Sequence, residues 1–432
     1  MHLRRLLQTL HTDLYAGTER SAMTRSAAVT AGLQLLATIV TFGSSLLYAR
    51  VLGPHGFGLY AYVTAWATLL TIPVALGLPA YLVREGAGRP GINRNLRRWA
   101  DIRVLTVGAA IALVLVAAYW VPVVGRARIL FLIAAPIPLL AALGQVRQSL
   151  LRALNRVATS QWPLVLGPLL LVLTMLSVWL WRGGLQPWEV MAAALAATAL
   201  IFVVGHLQLH RVTRRIEATP PPALSLRAAL PFMVMGVLFL VNSRADIILL
   251  GSLRGPHDAG IYAIVARAAA FVTFFAGAVN MVIAPRIAAL YRATEWATLQ
   301  RLLTASARRV LVLSLPLAVI FLVVARPLLT FLYGEPYAEG AWVLRILTLG
   351  FLSIVIAGST AVVANMTGHE RLTLHSVGVS VAVNIVLNLV LIPVLGMNGS
   401  AIATATSLVL FSGLQWYWVR SRVGLRPSAL GF

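Results

Sequence analysis

"RVLGPHGFGLYAYV", residues 50–63, recurs 202 positions further along, and that recurrence decides the fold. Its core, "PHGFGLYAYV" (54–63), aligns without a gap on "PHDAGIYAIV" (256–265), sharing Pro, His, Gly, Tyr, Ala and Val. Arg84 and Arg286 keep the same offset downstream. Each copy joins the end of one long apolar segment to the start of the next. Proline opens a helix well, and glycine tolerates strained turns, so both suit a tight helix–helix connection. A tyrosine just inside the new helix suits a membrane interface, where the ring is half buried and the hydroxyl stays wet. The chain therefore reads as two homologous halves.

Composition puts these halves in lipid. The chain has 432 residues, of which 59% are hydrophobic and only 11% charged, with a mean hydropathy of +0.87. A soluble domain carries about 25% charged residues. Cysteine is absent, which excludes disulfides and thiolate metal sites. Lysine is absent too, so all 35 basic residues are arginine. Without lysine there is no Walker A phosphate loop and no Schiff-base chemistry. Nothing in the pattern calls for a metal or another cofactor, and no catalytic constellation appears.

Twelve segments reach the ~20 apolar residues that a bilayer requires. They fall near 27–49, 59–81, 102–124, 129–150, 161–181 and 188–210, then 228–251, 260–283, 309–332, 341–364, 373–395 and 398–419. The predicted organisation is an all-α integral membrane protein with two homologous six-helix lobes, 27–210 and 228–419. Residues 1–26, with Leu3, Leu6, Leu7, Leu10 and Leu14 on one face, form a cytoplasmic amphipathic segment or a frayed tail. Residues 211–227 hold three consecutive prolines and read as a semi-rigid cytoplasmic linker. Residues 420–432 form a cytoplasmic tail.

Arginine placement sets the orientation. With the N-terminus inside, 26 of the 35 arginines lie on the cytoplasmic side and seven outside, while Arg244 and Arg267 fall within segments. Both termini are then cytoplasmic. The same asymmetry accounts for most of the net charge of +23 without nucleic acid. Six spans per half bring both halves in from the same side, so an axis along the membrane normal relates them. A substrate would sit between the halves near mid-membrane.

The ordered motifs resemble a known family. "ARVLGPHGFGLYAYV" from Ala49, continuing to "GLPAYLVRE" at Glu85, is similar to the first hairpin of the polysaccharide transporter family. This is the family of O-antigen and exopolysaccharide lipid-intermediate flippases within the multidrug/oligosaccharidyl-lipid/polysaccharide superfamily. "RADIILLG", "AGIYAIVARAAAFV", "APRIAALY", "LYGEPYAEGAWVLRIL", "NMTGHERLTLHS" and "NLVLIPVLGMNGSAIATA" follow in the expected order, so the resemblance runs from about residue 27 to 422. It implies alternating access and a polyprenyl-pyrophosphate oligosaccharide moved from the inner to the outer leaflet of a bacterial or archaeal cytoplasmic membrane. It also implies polysaccharide polymerases and glycosyltransferases as partners. It does not identify the sugar.

Charged groups inside lipid cost ~2.5–3.5 kcal/mol on insertion scales, so each needs a reason. Arg244, Asp246 and Arg267 share a depth of roughly 7–11 Å below the outer interface at ~1.5 Å per residue. An Asp246–Arg267 pair between neighbouring helices is geometrically feasible. Residues 244 and 246 stand about 200° apart around a helix and cannot both face one partner. Arg244 or Arg267 is the candidate for binding pyrophosphate, which arginine's planar donors suit; a structural bridge or an outward-snorkelling arginine is the other reading. Asp246 is the only acid well inside a span and the candidate ion-coupling group.

Ser376, Ser380, Asn384 and Asn388 make an i, i+4 polar row that must face the bundle interior. Ser380, Asn384 and Asn388 either line a glycan path or form ordinary interhelical hydrogen bonds. Asn242, Asn280 and Asn365 invite the same two readings. Arg84, Arg94, Arg97 and Arg98 crowd the first large cytoplasmic loop, where they gather an anionic headgroup or set topology.

Other function classes fit less well. A multidrug extruder of the same superfamily exports cations and carries acids in its N-terminal lobe, whereas no acid lies inside the predicted spans there. A lipid II flippase often has helices beyond twelve. A membrane glycosyltransferase or polymerase needs an acidic pair on an outer loop, and Glu335 and Glu339 sit in a stretch that matches the flippase pattern.

Overall fold

The computed structural model describes residues 19–86, 94–117, 127–154, 156–213 and 226–430. The predicted N-terminal amphipathic segment (1–18 of it) and most of the 211–227 linker lie outside these residues. Among the described residues the secondary structure is helical, with no strand.

The repeated stretch builds the same junction twice. Helix α1 (Glu19–Ala75) holds the first two predicted segments as two arms meeting at Gly53, with φ 66° and ψ 175°. In the second half, α8 (Leu226–Leu253) and α9 (Pro256–Ala270) meet at Gly255, with φ 100° and ψ 178°. Such angles are open only to glycine, and each is followed by a proline whose fixed φ starts the next helix. Pro54 and Pro256 occupy that place.

The remaining N-terminal elements are α2 (Leu78–Gly86), α3 (Arg94–Ala117), α4 (Arg128–Ala134), α5 (Ile137–Ala153), α6 (Val157–Arg182) and α7 (Pro187–Thr213). The C-terminal ones are α10 (Phe274–Arg292), α11 (Trp296–Val323), α12 (Ala325–Tyr333), α13 (Ala341–Ala357), α14 (Thr360–Met366), α15 (Glu370–Leu395) and α16 (Met397–Trp418). Eleven described helices are long and apolar enough to cross a membrane. The longest, Leu36–Ala75, spans 40 residues and includes the Gly53 kink, which reconciles eleven helices with twelve segments.

Several segment boundaries need correction; the second ends at Ala75, because the chain turns at Leu76 and Gly77 before α2 begins at Leu78. The ninth ends at Val323, because the chain turns before Arg326–Pro327 and a separate short helix, α12, follows. The tenth breaks at Gly358, whose φ of 74° ends α13 before α14 begins. The third starts at Arg94, earlier than expected, which places Asp101 inside a helix. There Asp101 accepts from Arg147 at 2.9 Å through Oδ2 and makes a second bond through Oδ1. Arg147, one of the 26 arginines assigned to the cytoplasmic side, is 2% exposed and packs under the ring of Phe202. The buried pair ties α3 to α5.

The C-terminal stretch is docked. Arg426 N donates to Gln300 Oε1 at 2.9 Å, and Gln300 Nε2 donates back to the Arg426 carbonyl at 2.7 Å. Ala429 N reaches the Ile356 carbonyl at 3.0 Å, beside the α13–α14 break.

One apolar core joins the lobes. Tyr48, Ala49, Phe57 and Ala65 from α1 pack in a single cluster with Ile247, Leu250, Ile261, Tyr262 and Val265 from α8 and α9. Separate cores hold α1–α3 with α5, and α10 and α11 with α14.

Candidate functional site

The lobes meet tightly at the end that carries the two glycine–proline junctions. Arg50 donates through Nε to the Leu332 carbonyl at 2.8 Å and through its second arm to the Phe331 carbonyl. It thereby caps the C-terminus of α12 in the opposite lobe, where the helix dipole favours a cation. Tyr337 Oη donates to the Ala49 carbonyl at 3.0 Å. Tyr62 Oη and Ser252 Oγ lie 3.0 Å apart across the same boundary.

Behind this closed end lies a cavity of about 970 Å³, walled by both lobes. That is near the upper end for a small-ligand pocket, about 300–1,000 Å³. The N-terminal lobe contributes Tyr48, Tyr60, Thr64 and Thr68 from α1, Gln145 from α5 and Thr198 from α7. The C-terminal lobe contributes Asn242, Arg244 and Asp246 from α8, Tyr262 and Arg267 from α9, and Thr404 from α16.

Arg244, Asp246 and Arg267 all reach this cavity, as their common depth predicts, but the expected Asp246–Arg267 pair does not form. Asp246 is 6% exposed. Its Oδ2 accepts from Tyr262 Oη at 2.7 Å and from Thr404 Oγ1 at 3.2 Å, and the two hydroxyls are 3.0 Å apart. A neutral cage thus takes the place of the arginine. Asp246 Oδ1 is buried without a partner, and so is Arg244 Nε. Among the described residues neither Arg244 nor Arg267 makes an ion pair or a hydrogen bond.

Arg267 also reaches electrostatically toward the closed end. Burial pushes the Tyr333 phenol up to about 12, and the Arg267 charge acts against that rise.

The polar row of α15 faces the interior, and Ser380, Asn384 and Asn388 are not among the residues lining the cavity; their bonds are those of the interhelical reading. Ser380 Oγ donates to the Ser407 carbonyl at 2.9 Å. Asn384 Nδ2 donates to Ser407 Oγ at 3.2 Å and Thr404 Oγ1 at 3.3 Å. Ser400 Oγ donates to Asn388 Oδ1 at 2.8 Å. These bonds zip α15 to α16, and through Thr404 they end at Asp246. Asn280 accepts from Ser359 at the α13–α14 break.

The four candidate entry arginines separate. Arg84 is exposed and stacks between Tyr81 and Phe232, 5.5 and 5.2 Å from the ring centres. Arg97 stands 3.9 Å from Asp101. Arg98 is exposed, and the Arg94 side chain lies outside the described residues.

Thr404, Tyr48 and Thr64 escaped the sequence reading. Tyr262, expected with its repeat counterpart Tyr60 to be an interface tyrosine with a wet hydroxyl, is instead fully buried, because its hydroxyl is taken up by Asp246.

Comparison with known proteins agrees with this architecture. An inward-facing multidrug resistance MATE family transporter of the MOP superfamily superposes with a TM-score of 0.70 at 15% identity, covering 92% of this chain and 98% of that one. The lipid II flippase MurJ, in an inward closed conformation, gives 0.70 at 14% identity over 91% and 88%. A MOP superfamily transporter from Pyrococcus furiosus, reported with a binding pocket of reversed polarity, gives 0.63 at 13% identity over 92% and 95%. At these identities the likeness is one of fold.

In sequence, the uncharacterized membrane protein YabM of Bacillus subtilis (strain 168) is 27% identical over 148 residues, 34% of this chain and 27% of that protein's own length. A MatE family model matches residues 231–390. The model described as polysaccharide biosynthesis protein matches residues 23–291, more than half of the chain. With eleven described helices long and apolar enough to cross a membrane, the chain belongs to the polysaccharide biosynthesis protein family.

Proposed function

We propose that this protein is a flippase that moves a polyprenyl-pyrophosphate-linked oligosaccharide from the inner to the outer leaflet by alternating access, for polysaccharide export across a bacterial or archaeal inner membrane. One observation carries the reading: Arg244 and Arg267 enter a cavity between the lobes with no carboxylate bound to either. Guanidinium groups left unpaired at membrane depth are costly, and an anion in the cavity offsets that cost. Pyrophosphate presents paired oxygens that match the planar donors of arginine. The hydroxyls of the opposite wall suit a glycan. The seal at the junction end, with the cavity behind it, fits one closed gate of an alternating-access cycle.

Asp246 is the proposed coupling group, because it is an acid on the wall of a cavity that both lobes share, with one oxygen buried and unpartnered. Polymerases and glycosyltransferases acting on the same lipid are the proposed partners. A cationic drug suits this cavity poorly: two guanidinium groups face it, and Asp246 is already engaged by Tyr262 and Thr404.

The test is translocation in proteoliposomes of a fluorescent short-chain polyprenyl-pyrophosphate sugar, with a cationic dye in parallel. The lipid should cross, and replacing both arginines with glutamine should slow it about tenfold or more at equal protein level, as loss of charge-assisted hydrogen bonds implies. Dye movement without lipid movement would overturn the reading, as would full transport by the double variant. A lipid II substrate in the same assay separates the cell-wall alternative.

A further inference from the structure

The offset of 202 lets each cavity position be compared with its counterpart in the other half. Arg244, Asp246 and Arg267 correspond to Phe42, Ser44 and Ala65. Tyr48, Thr64 and Thr68 correspond to Leu250, Ala266 and Ala270. Charge thus stands on one wall alone, although both walls descend from one helix pair. The two sets face the same cavity.

The hydroxyl wall is incompletely satisfied. Tyr48 is 4% exposed, and its hydroxyl is buried without a hydrogen-bond partner. Thr64 Oγ1 is buried and unpartnered too. Ser44 and Thr64 stand beside the phenols of Tyr48 and Tyr60 without hydrogen-bond geometry; Ser44 donates instead to the Thr41 carbonyl at 2.8 Å. Thr68 donates to the Thr64 carbonyl at 2.6 Å, which leaves its oxygen free to accept from the cavity. Leaving buried hydroxyls unbonded is unfavourable, so two of them on one cavity wall point to a hydroxylated ligand.

Aromatic rings complete the surface. The Tyr48 and Tyr60 ring centres are 6.3 Å apart and edge-on, and Phe57 lies 6.1 Å from Tyr60. The apolar C–H face of a pyranose packs on such rings while its rim of hydroxyls reaches neighbouring oxygens.

We propose that this N-terminal-lobe wall is a subsite for the sugar ring joined directly to the anionic group, with Tyr48 and Thr64 as its hydrogen-bond partners and the Tyr60 ring against its face. The inference rests on the anion-site reading above. It adds that the ligand bridges the lobe boundary, with its diphosphate on the C-terminal lobe and its first sugar on the N-terminal lobe.

The test compares binding of a short-chain prenyl diphosphate with that of the same lipid carrying one glucose, using purified full-length protein in detergent. The glucosyl lipid should bind about tenfold more tightly, which is what two ordinary hydrogen bonds supply. Tyr48→Phe with Thr64→Val should bring the ratio close to one, and Tyr48→Phe alone should lower it about threefold. Thermal melting confirms that each variant is folded. A ratio near one in the wild type, or a ratio unchanged in the double variant, overturns the sugar subsite alone. Absence of binding by both lipids overturns the anion site beneath it, and the subsite with it.

Discussion

Gly58 and Gly260 pack backbone against backbone where the lobes meet, and they are the same residue of the repeated stretch. A Cβ at Gly58 would stand 3.0 Å from the Gly260 nitrogen and collide with the Pro256 carbonyl. A Cβ at Gly260 would stand 2.9 Å from the Gly58 nitrogen and collide with the Pro54 carbonyl. The contacts are reciprocal under the 202-residue offset, so the axis relating the halves passes between the two glycines. Here the missing side chain serves a close approach of two backbones, a second use of glycine beside the positive φ of Gly53 and Gly255.

Gly58→Ala should therefore part the lobes at this end. Backbone cannot yield as a side chain would, so the overpacking cost is about 1–3 kcal/mol. The chain has no cysteine, and the counterparts His55 and His257 are both exposed. Spin labels at His55→Cys and His257→Cys should show a longer or broader distance distribution in the alanine variant. An unchanged distribution would mean that the contact does not limit closure.

The Tyr62–Ser252 contact gives a direct handle on the cycle. Tyr62→Cys with Ser252→Cys can be bridged by a short bis-methanethiosulfonate crosslinker that fills the room left by the tyrosine ring, since the native side chains meet at 3.0 Å. If this end must open for transport, the cross-linked protein should lose most of its lipid translocation, and reductant should restore it. Full activity with the cross-link quantitatively formed would show that this end stays shut throughout.

Much of this end could be read from the sequence because its residues are consecutive. The glycine–proline pairs and the inward face of the α15 polar row follow from spacing along one or two helices. The partners of Asp246 could not be read that way. Depth along the helix axis put Arg267 in range, but packing chose Tyr262, 16 residues away, and Thr404, 158 residues away. Electrostatic expectation favoured an ion pair, whereas two hydroxyls satisfy one carboxylate oxygen without burying a second charge. The Asp101–Arg147 pair was hidden for a similar reason. Its members are 46 residues apart, and Arg147 lies near Arg152 and Arg156 in a stretch that resembles a topology-setting loop.

The α15–α16 zipper predicts a stability effect without a binding effect. Asn388→Ala removes the acceptor of Ser400 and the donor to Asn384, both fully buried. Interhelical hydrogen bonds in membranes average ~0.6 kcal/mol and reach ~1.7 kcal/mol. The variant should melt a few degrees lower in detergent while its affinity for the glucosyl lipid stays within about twofold of wild type. A large loss of affinity with unchanged melting would return Asn388 to the ligand path.

Asp101 and Arg147 should respond unequally to neutralisation. Asp101→Asn removes the counter-charge of the Arg147 guanidinium, whose side chain is 3% exposed, and leaves it one amide oxygen, the Leu143 carbonyl at 3.4 Å and the Phe202 ring. Removing one partner of a buried pair costs about 3–5 kcal/mol, and the lower end applies because Asp101 is 18% exposed. Arg147→Met fills the same space with an apolar chain and leaves Asp101 beside Arg97, 3.9 Å away in water-accessible surroundings. It should cost clearly less. The double variant should recover most of the Asp101→Asn loss, since no buried charge is then uncompensated. Melting temperatures of the four proteins in one detergent measure the cycle. Equal losses from the two single changes would mean that Arg147 keeps access to water along its helix and that the pair is no buried tie between α3 and α5.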